Sequence, residues 1–180
     1  MMFLSRKWNK NIFRTKVAFS LVEVVVILFI SSIGIMATLS LAVRSVYLQN
    51  AKKDLTTAIF LANEGLDLVT NIRDTNMIMG LDYDNWDGLG SVGVGQNLYT
   101  VDFFTLLASS TTSIDDAFLQ EDSDGFFLHD DSFDDTVFSR LITIDAETSA
   151  SSSIESWVRW RSRGNVFDYK VSSVLYDLSY

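Results

Sequence analysis

The 180-residue chain contains no cysteine and no proline, and it has one histidine. Without cysteine there is no disulfide framework, no thiolate metal site and no thiol catalysis. Without proline, nothing in the composition forces a break in a long helix. With no second histidine and no cysteine to join it, His129 is expected on the surface or at a sheet edge rather than as a metal ligand or a base.

Positive charge is scarce beyond the N-terminus. The first eighteen residues contain five of the 14 basic residues, and all 23 acidic residues follow them. An acidic body repels the phosphate backbone, so we expect no nucleic-acid binding. The five N-terminal basic residues are Arg6, Lys7, Lys10, Arg14 and Lys16.

One long apolar run dominates the N-terminal part of the chain. Residues 24–43 are twenty consecutive uncharged positions, rich in valine, isoleucine and leucine. About 20 such residues are needed for a helix to cross a bilayer. By the positive-inside rule, the basic N-terminus stays in the cytoplasm and the acidic C-terminal part is delivered across the membrane.

Helical periodicity continues beyond the apolar run. We predict a single helix from about residue 20 to about residue 74, because no proline interrupts it. Its second part carries one stripe at three-to-four spacing, which should pack on another layer. The stripe consists of Val43, Tyr47, Ala51, Leu55, Ala58 or Ile59, Ala62, Leu66, Val69 and Ile72.

The C-terminal half is rich in turn formers and short β-type runs. Residues 79–96 are expected to form an extended loop. Strands are predicted at residues 97–104, 136–145, 154–163 and 166–178, with a possible short strand at 126–128. Gly164 and Asn165 are expected to be the central residues of a type II′ turn. The predicted fold is therefore α+β, with a long N-terminal helix packed on an antiparallel sheet of three or four strands.

Three kinds of export segment fit the first 45 residues. A secretory signal peptide would be removed near residues 40–42, but its apolar region would be longer than usual. A plain membrane anchor would keep the whole segment. Neither explains the carboxylate of Glu23 at the entrance to the apolar run, although an anchor could tolerate it at the interface.

Residues 16–26, KVAFSLVEVVV, place a small residue, Ala18, before an aromatic residue, Phe19, with Glu23 four positions later. This order, after a basic leader and before an uncharged run, resembles the N-terminal motif of the type IV prepilin superfamily. The resemblance implies that a prepilin peptidase cuts between Ala18 and Phe19 on the cytoplasmic side and usually methylates the new amine. Glu23 takes the position of the family's glutamate, where it would pair with the N-terminal amine of a neighbouring subunit and set the axial stagger.

The resemblance also implies a domain organisation. Residues 1–18 would be the leader, 19–43 the transmembrane and filament-core helix, 44–76 its amphipathic continuation, and 77–180 the exported acidic loop and sheet domain. Alanine replaces the family's usual glycine before the cut. Many major pilins have a proline at the position of Ser40 and a C-terminal disulfide, and the absence of both points to a minor pilin or pseudopilin.

The function expected from this resemblance is structural and not enzymatic. The chain would be a subunit of a type IV pilus or of a related secretion or DNA-uptake filament. Its partners would be other pilin subunits, the prepilin peptidase and the pilus assembly platform in the membrane. The alternative is a single-pass surface protein held by a signal anchor, such as an adhesin or a calcium-binding module, that does not polymerise.

One acidic segment partly fits a calcium loop. Asp122, Asp124 and Gly125 match the pattern D-x-[DN]-x-[DN]-G-x₅-E, and Asp131 stands where the final glutamate would be. Gln120 replaces the first aspartate. Calcium at Asp122, Asp124 and Asp131 is the one cofactor that the sequence suggests, and the other interpretation is a solvated turn.

The last predicted hairpin combines aromatic and basic residues. Strand alternation puts Trp157 on the same face as Arg159 and Arg161, and Trp160 on the opposite face. We therefore expect one tryptophan in the core and the other exposed. Cross-strand packing is the simpler explanation of the exposed set, and a partner contact is the alternative.

Overall fold

The structure is a computed structural model that describes residues 20–86, 88, 95–104, 108–130, 132–148 and 150–177. The chain divides into two units, Met1–Tyr47 and Leu48–Tyr180. One helix, α1, spans Leu21–Met79 and belongs to both units. The prediction of a single uninterrupted helix is therefore confirmed, although the helix ends five residues later than expected.

Local hydrogen bonds define the C-terminal end of α1. Gly80 has a φ of 71°, which is the left-handed conformation that glycine adopts without strain. Its N–H donates to the carbonyl of Met77 at 3.2 Å, and the N–H of Leu81 donates to the carbonyl of Asn76 at 2.9 Å. This pair of bonds is a Schellman motif, which satisfies two of the last carbonyls of the helix.

The second unit contains an antiparallel sheet, so the predicted α+β class is confirmed. Across the described ranges the sheet has seven strands. The central strand, β5, pairs with β6 along one edge and with β1 and β3 along the other, while β2, β4 and β7 extend β1, β3 and β6. The strands are β1 Gly95–Val101, β2 Ala108–Ser110, β3 Phe118–Glu121, β4 Phe127–Leu128, β5 Asp135–Thr148, β6 Ser151–Ser162 and β7 Asn165–Tyr176.

The expectation of three or four strands was too low. Strands β2 and β3 have three and four residues, which is too short for a period of two to stand out from the surrounding serines and aspartates. A 3₁₀ turn at Ile114–Asp116 was also not predicted. Strand β1 begins two residues earlier and ends three residues earlier than expected, and β7 ends at Tyr176 rather than at residue 178.

The turn between β6 and β7 also differs from the prediction. Ser162 pairs with Asn165, so the two central residues are Arg163 and Gly164. Both have positive φ, 52° and 79° respectively. Positive φ at both positions is the type I′ geometry, so the predicted type II′ turn at Gly164 and Asn165 is wrong.

Only the C-terminal part of the predicted stripe on α1 is buried. Val43, Tyr47, Ala51 and Leu55 are exposed, and burial begins at Ala58. The buried positions of α1 are Ala58, Leu61, Ala62, Gly65, Val69, Ile72 and Asn76. They contact the face of the sheet that carries Ile142, Ile144, Ile154 and Val158.

The connection after α1 contributes to this core, although it was predicted as an extended loop. Trp86 is fully buried and Tyr83 is 5% exposed, and their rings meet edge to face at 6.3 Å. The N–H of Ala108 donates to the carbonyl of Trp86 at 2.7 Å, which ties the connection to β2. The first part of the loop is thus anchored by its aromatic residues.

Gly65 allows α1 to approach the sheet closely. A Cβ at this position would lie 2.6 Å from Ser156 Oγ, 2.8 Å from Ile142 Cδ1 and 3.2 Å from Arg140 Cδ. The first two distances are shorter than van der Waals contact. Gly65 therefore has a packing role at the contact between α1 and the sheet.

We expect Gly65→Ala to lower the free energy of unfolding by about 1–2 kcal/mol, because the cost of overpacking exceeds the gain in helix propensity. The measurement is urea unfolding of the full chain in detergent micelles, followed by tryptophan fluorescence.

Ser156→Ala is the matched variant for this test, because Ser156 Oγ is buried and has no hydrogen-bond partner among the described residues. Alone it should be close to neutral, and combined with Gly65→Ala it should restore part of the lost stability. A Gly65→Ala variant as stable as the wild type would show that α1 does not need this close approach.

Candidate functional site

The described part of the first unit runs from Ser20 to Tyr47, and from Leu21 onward it is the N-terminal part of α1. This part of α1 contains an apolar window of 18 residues with a mean hydropathy of 2.5, and no residue of the window is buried by the part of the chain that the structure describes. Large side chains are exposed over most of its length, including Leu28, Phe29 and Met36 at 63–72%. The structure therefore has one N-terminal helix that is long and apolar enough to span a membrane.

Glu23 lies in the first turn of α1, where its side chain is exposed. The helix starts with a bond from the N–H of Val24 to the carbonyl of Ser20 at 3.2 Å. A carboxylate in the first turn interacts favourably with the unpaired N–H groups there. Glu23 is therefore compatible with the helix, but its neighbours Val22 and Val24 are apolar and no cation is described beside it.

Three hydroxyl groups within the apolar part of α1 bond to the helix itself. Ser32 donates to the carbonyl of Phe29 at 2.7 Å, and Thr38 donates to that of Ile35 at 2.9 Å. Ser40 donates to the carbonyl of Met36 at 2.9 Å. These bonds satisfy the hydroxyls without water, as an apolar surrounding requires.

The predicted processing residues, Ala18 and Phe19, lie outside the described residues. Of the three residues expected from the prepilin motif, the structure thus places Glu23 alone. The cleavage and the pairing of Glu23 with an amine stay predictions.

A buried arginine joins α1 to the sheet in the second unit. Arg140, on β5, is fully buried. Its Nη2 donates to the carbonyl of Val101 at 2.6 Å, and its Nη1 donates to that of Leu61 at 3.4 Å. Nη1 also lies 3.2 Å from Glu64 Oε2 on α1, and Nη2 lies 3.9 Å from Asp102 Oδ1. One guanidinium therefore contacts α1 and the end of β1.

Asp102 extends this cluster to His129. Its Oδ1 accepts from the backbone N–H of His129 at 3.0 Å and lies 2.8 Å from His129 Nδ1. Burial raises the pKa of Asp102, but the hydrogen bonds and charge of His129 and the charge of Arg140 outweigh burial, so the pKa lies below its ordinary value. Burial lowers the pKa of Arg140, and the nearby Glu64 and Asp102 oppose that shift.

His129 follows the edge strand β4, which agrees with the expected position at a sheet edge. Its side chain is only 12% exposed, however, because it packs against Asp102. The sequence did not indicate that Glu64, Asp102 and Arg140 would lie together in this cluster. Strand parity could have indicated that Arg140 is buried, because Phe138, Arg140 and Ile142 have the same parity and lie on the same face of β5.

Two of the three calcium candidates, Asp122 and Asp124, lie in the turn between β3 and β4. Asp122 Oδ1 accepts from the N–H groups of Asp124 and Phe126, both at 2.9 Å. The N–H of Gly125, at a φ of 87°, donates to the carbonyl of Asp122 at 3.1 Å. Asp122 thus closes a hairpin turn.

No group of three metal-ligating side chains occurs within the described ranges, and Asp131 lies outside them. Calcium binding at Asp122, Asp124 and Asp131 stays a prediction.

The β6–β7 hairpin distributes its tryptophans as predicted. Trp160 is 6% exposed and stacks on Phe167 at 5.5 Å, whereas Trp157 is half-buried on the opposite face. Trp157 Nε1 donates to Asp168 Oδ1 at 2.8 Å, and the guanidinium of Arg159 lies 4.6 Å from the Trp157 ring centre. These contacts agree with cross-strand packing.

Comparison of the chain with protein-family models, with curated proteins and with solved structures gave no match.

The lowered pKa of Asp102 predicts how stability depends on pH. Because the folded pKa lies below the unfolded value of about 3.9, Asp102 contributes stability above that pH, and the contribution is lost as the pH falls through the folded pKa. We expect Asp102→Asn to be less stable by about 1–3 kcal/mol at pH 7, because bonds to a charged acceptor are lost.

The test is to measure urea unfolding of the wild type and of Asp102→Asn in detergent micelles from pH 7 to pH 2. The difference in unfolding free energy should shrink as the pH falls below about 4 and Asp102 becomes protonated. A difference that stays constant throughout this range would contradict the charged role of Asp102.

Proposed function

We propose that this chain is a structural subunit of a type IV pilus or of a related secretion or DNA-uptake filament, in the class of minor pilins or pseudopilins. A prepilin peptidase removes residues 1–18 at the cytoplasmic face of the inner membrane. The subunit waits as a single-pass membrane protein with its sheet domain outside, and it then enters a filament with other pilin subunits through the assembly platform.

The observation that carries this proposal is the difference in burial between the two parts of α1. From Ala58 to Asn76 the helix buries one face on the sheet, whereas the apolar residues from Leu21 to Val46 are all exposed among the described residues. An apolar surface of that size needs lipid or other apolar helices around it. A subunit that moves from a membrane to a helical bundle uses the same surface in both places.

Glu23 gives the proposal its mechanism. It is the one acidic residue in the apolar part of α1, and an unpaired carboxylate in an apolar bundle is strongly disfavoured. After cleavage, the amine of Phe19 on a neighbouring subunit is a cation of the right sign at the same end of the helix. Methylation keeps that charge. Pairing of Glu23 with the amine would then select one axial stagger between subunits.

The same helix also supports the alternative, a surface protein held by a signal anchor that never polymerises. The two functions differ in the first residue of the mature protein. A pilin-like subunit begins at Phe19, an uncleaved anchor keeps Met1, and a secretory protein cut after Ala42 begins at Val43.

We expect the mature chain to begin at Phe19 when it is expressed with its own prepilin peptidase. Mass spectrometry of the intact chain and of its N-terminal peptide measures this directly. Ala18→Gly, the family's usual residue, should give the same N-terminus with equal or higher yield. A retained leader in both proteins, or a start at Val43, would overturn the proposal.

Removal of the carboxylate should block assembly and spare processing. We expect Glu23→Ala and Glu23→Gln to be cleaved normally but to be depleted at least ~10-fold from sheared filaments, because the stagger loses its charge pair. Glu23→Gln removes the charge and keeps the shape of the side chain, so it tests the charge alone. Val24→Ala is the matched control, because it changes the neighbouring residue and should leave assembly intact. Quantitative immunoblots of the filament and membrane fractions give the ratio, and undiminished incorporation of both Glu23 variants would refute the pairing.

A further inference from the structure

Strand β7 forms a long free edge of the sheet. It has 12 residues and pairs with β6 alone among the described strands. The strands at the other side of the sheet, β2 and β4, have three and two residues. Proteins protect exposed edges by shortening them or by placing proline or several lysines there. β7 is long and has no proline and one lysine, Lys170.

The hairpin geometry fixes which backbone groups of β7 point outward. The two-residue turn makes Ser162 and Asn165 a hydrogen-bonded pair, and the same parity recurs at Asp177, whose N–H donates to the carbonyl of Ala150 at 2.9 Å. Odd-numbered residues of β7 therefore bond to β6. The even-numbered residues, from 166 to 176, turn their N–H and C=O groups to the free edge.

The side chains of β7 suit a further strand. Val166, Phe167, Val174 and Tyr176 are 43–58% exposed although they are apolar. The apolar residues Phe167 and Tyr169 lie on the face toward α1, where Tyr169 and Val171 border the core. The opposite face carries Asp168 and Lys170, two positions apart, together with the exposed apolar residues Val166, Val174 and Tyr176.

We propose that the free edge of β7 binds an extended segment of a different protein chain by antiparallel strand addition. The segment has apolar residues on the face toward α1 and an acidic and a basic residue two positions apart on the other face. Its basic residue lies opposite Asp168 and its acidic residue lies opposite Lys170.

Charge complementarity selects this occupant. Asp168 is already oriented by Trp157 Nε1 and Arg159 Nε at 2.8 and 2.9 Å, and Lys170 Nζ is oriented by Glu155 at 2.7 Å. A carboxylate has a second oxygen and an ammonium has three donors, so both side chains can still accept an opposite charge. Opposite charges directly across two strands stabilise the pair, and like charges destabilise it.

A second copy of this chain does not fit the same edge. Antiparallel pairing of two β7 strands places a two-fold axis perpendicular to the sheet, so the two α1 helices would run in opposite directions. Two copies inserted in the same orientation in one membrane have α1 helices that run the same way. Pairing of β7 with β2 or β4 of a second copy would form few backbone hydrogen bonds, because β2 and β4 are short. The occupant is therefore another protein.

The probe is a fluorescent peptide with the sequence of β7, NVFDYKVSSVLY. In antiparallel register it places its lysine opposite Asp168 and its aspartate opposite Lys170, with all hydrogen-bonding positions matched. We expect it to bind the full chain in detergent micelles, as measured by fluorescence anisotropy. The same peptide with its aspartate and lysine exchanged has identical composition and should bind ~2- to 30-fold more weakly, because both pairs become like-charged.

Proline variants test whether the outward backbone N–H groups of β7 bind the peptide. Ser172→Pro removes an outward N–H and should keep the fold, because proline is tolerated at an edge where the N–H faces solvent. It should weaken peptide binding by at least ~5-fold. Ser173→Pro is the matched variant on the other parity and should lower the melting temperature, because it breaks the ladder to β6.

A modified peptide gives the same test without changing the protein. N-methylation of the peptide at its lysine blocks a ladder hydrogen bond and should weaken binding, whereas N-methylation at the tyrosine directly before that lysine should not, because its N–H points away from β7. The proposal is overturned if the peptide does not bind, if both N-methylated peptides bind equally, or if the charge-exchanged peptide binds as tightly as the original. Strand addition does not require filament assembly, so this test and the tests of the proposed function can fail separately.

Discussion

The packing of α1 on the sheet of the second unit depends on the contacts of the Arg140 guanidinium. This guanidinium is fully buried on β5 and contacts the carbonyls of Leu61 and Val101 and the carboxylate of Glu64. A buried charge is tolerated only when such partners surround it, so α1 and β1 must both be in place before Nη1 and Nη2 of Arg140 are paired, while its Nε has no partner among the described residues. We therefore regard Arg140 as the residue that specifies where α1 lies on the sheet.

Gly65 and the Arg140 cluster act together. The missing side chain at Gly65 lets the helix come close enough for Ser156 and Ile142 to reach its backbone, and Arg140 Cδ lies in the same contact. Close approach in turn brings the carbonyl of Leu61 and the side chain of Glu64 to the guanidinium. Among the described residues, the apolar part of α1 has no such partner, and this contrast is the physical basis of the proposed function.

Much of the fold could be predicted from the sequence. The apolar run, the uninterrupted helix and the three long strands β5, β6 and β7 all have strong periodic signals. Burial along α1 was predicted too early, because spacing alone does not say where the partner layer begins. Strands β2 and β3 are too short for a pattern, and the type I′ turn depends on a positive φ at Arg163, which its residue type does not suggest.

Of the candidate functional residues, Glu23 could be predicted from the sequence, whereas the Arg140 cluster could not. Glu23 stands out because a carboxylate interrupts an apolar sequence, and that signal needs no structure. Glu64, Asp102 and Arg140 are distant in sequence, and no local pattern brings them together. Their association follows from the register of β5 against β1 and from the face that α1 presents, so it required the tertiary structure.

Disulfide cross-linking in filaments tests the central claim most directly, because the natural chain has no cysteine. Pairing of Glu23 with a neighbour's Phe19 amine brings position 20 of one subunit near position 24 of the other. Co-assembled Ser20→Cys and Val24→Cys subunits should form a mixed disulfide. Ser20→Cys and Ser40→Cys subunits should not, and Glu23→Ala should abolish the first cross-link. A cross-link that is absent, or that persists unchanged in Glu23→Ala, would contradict the account.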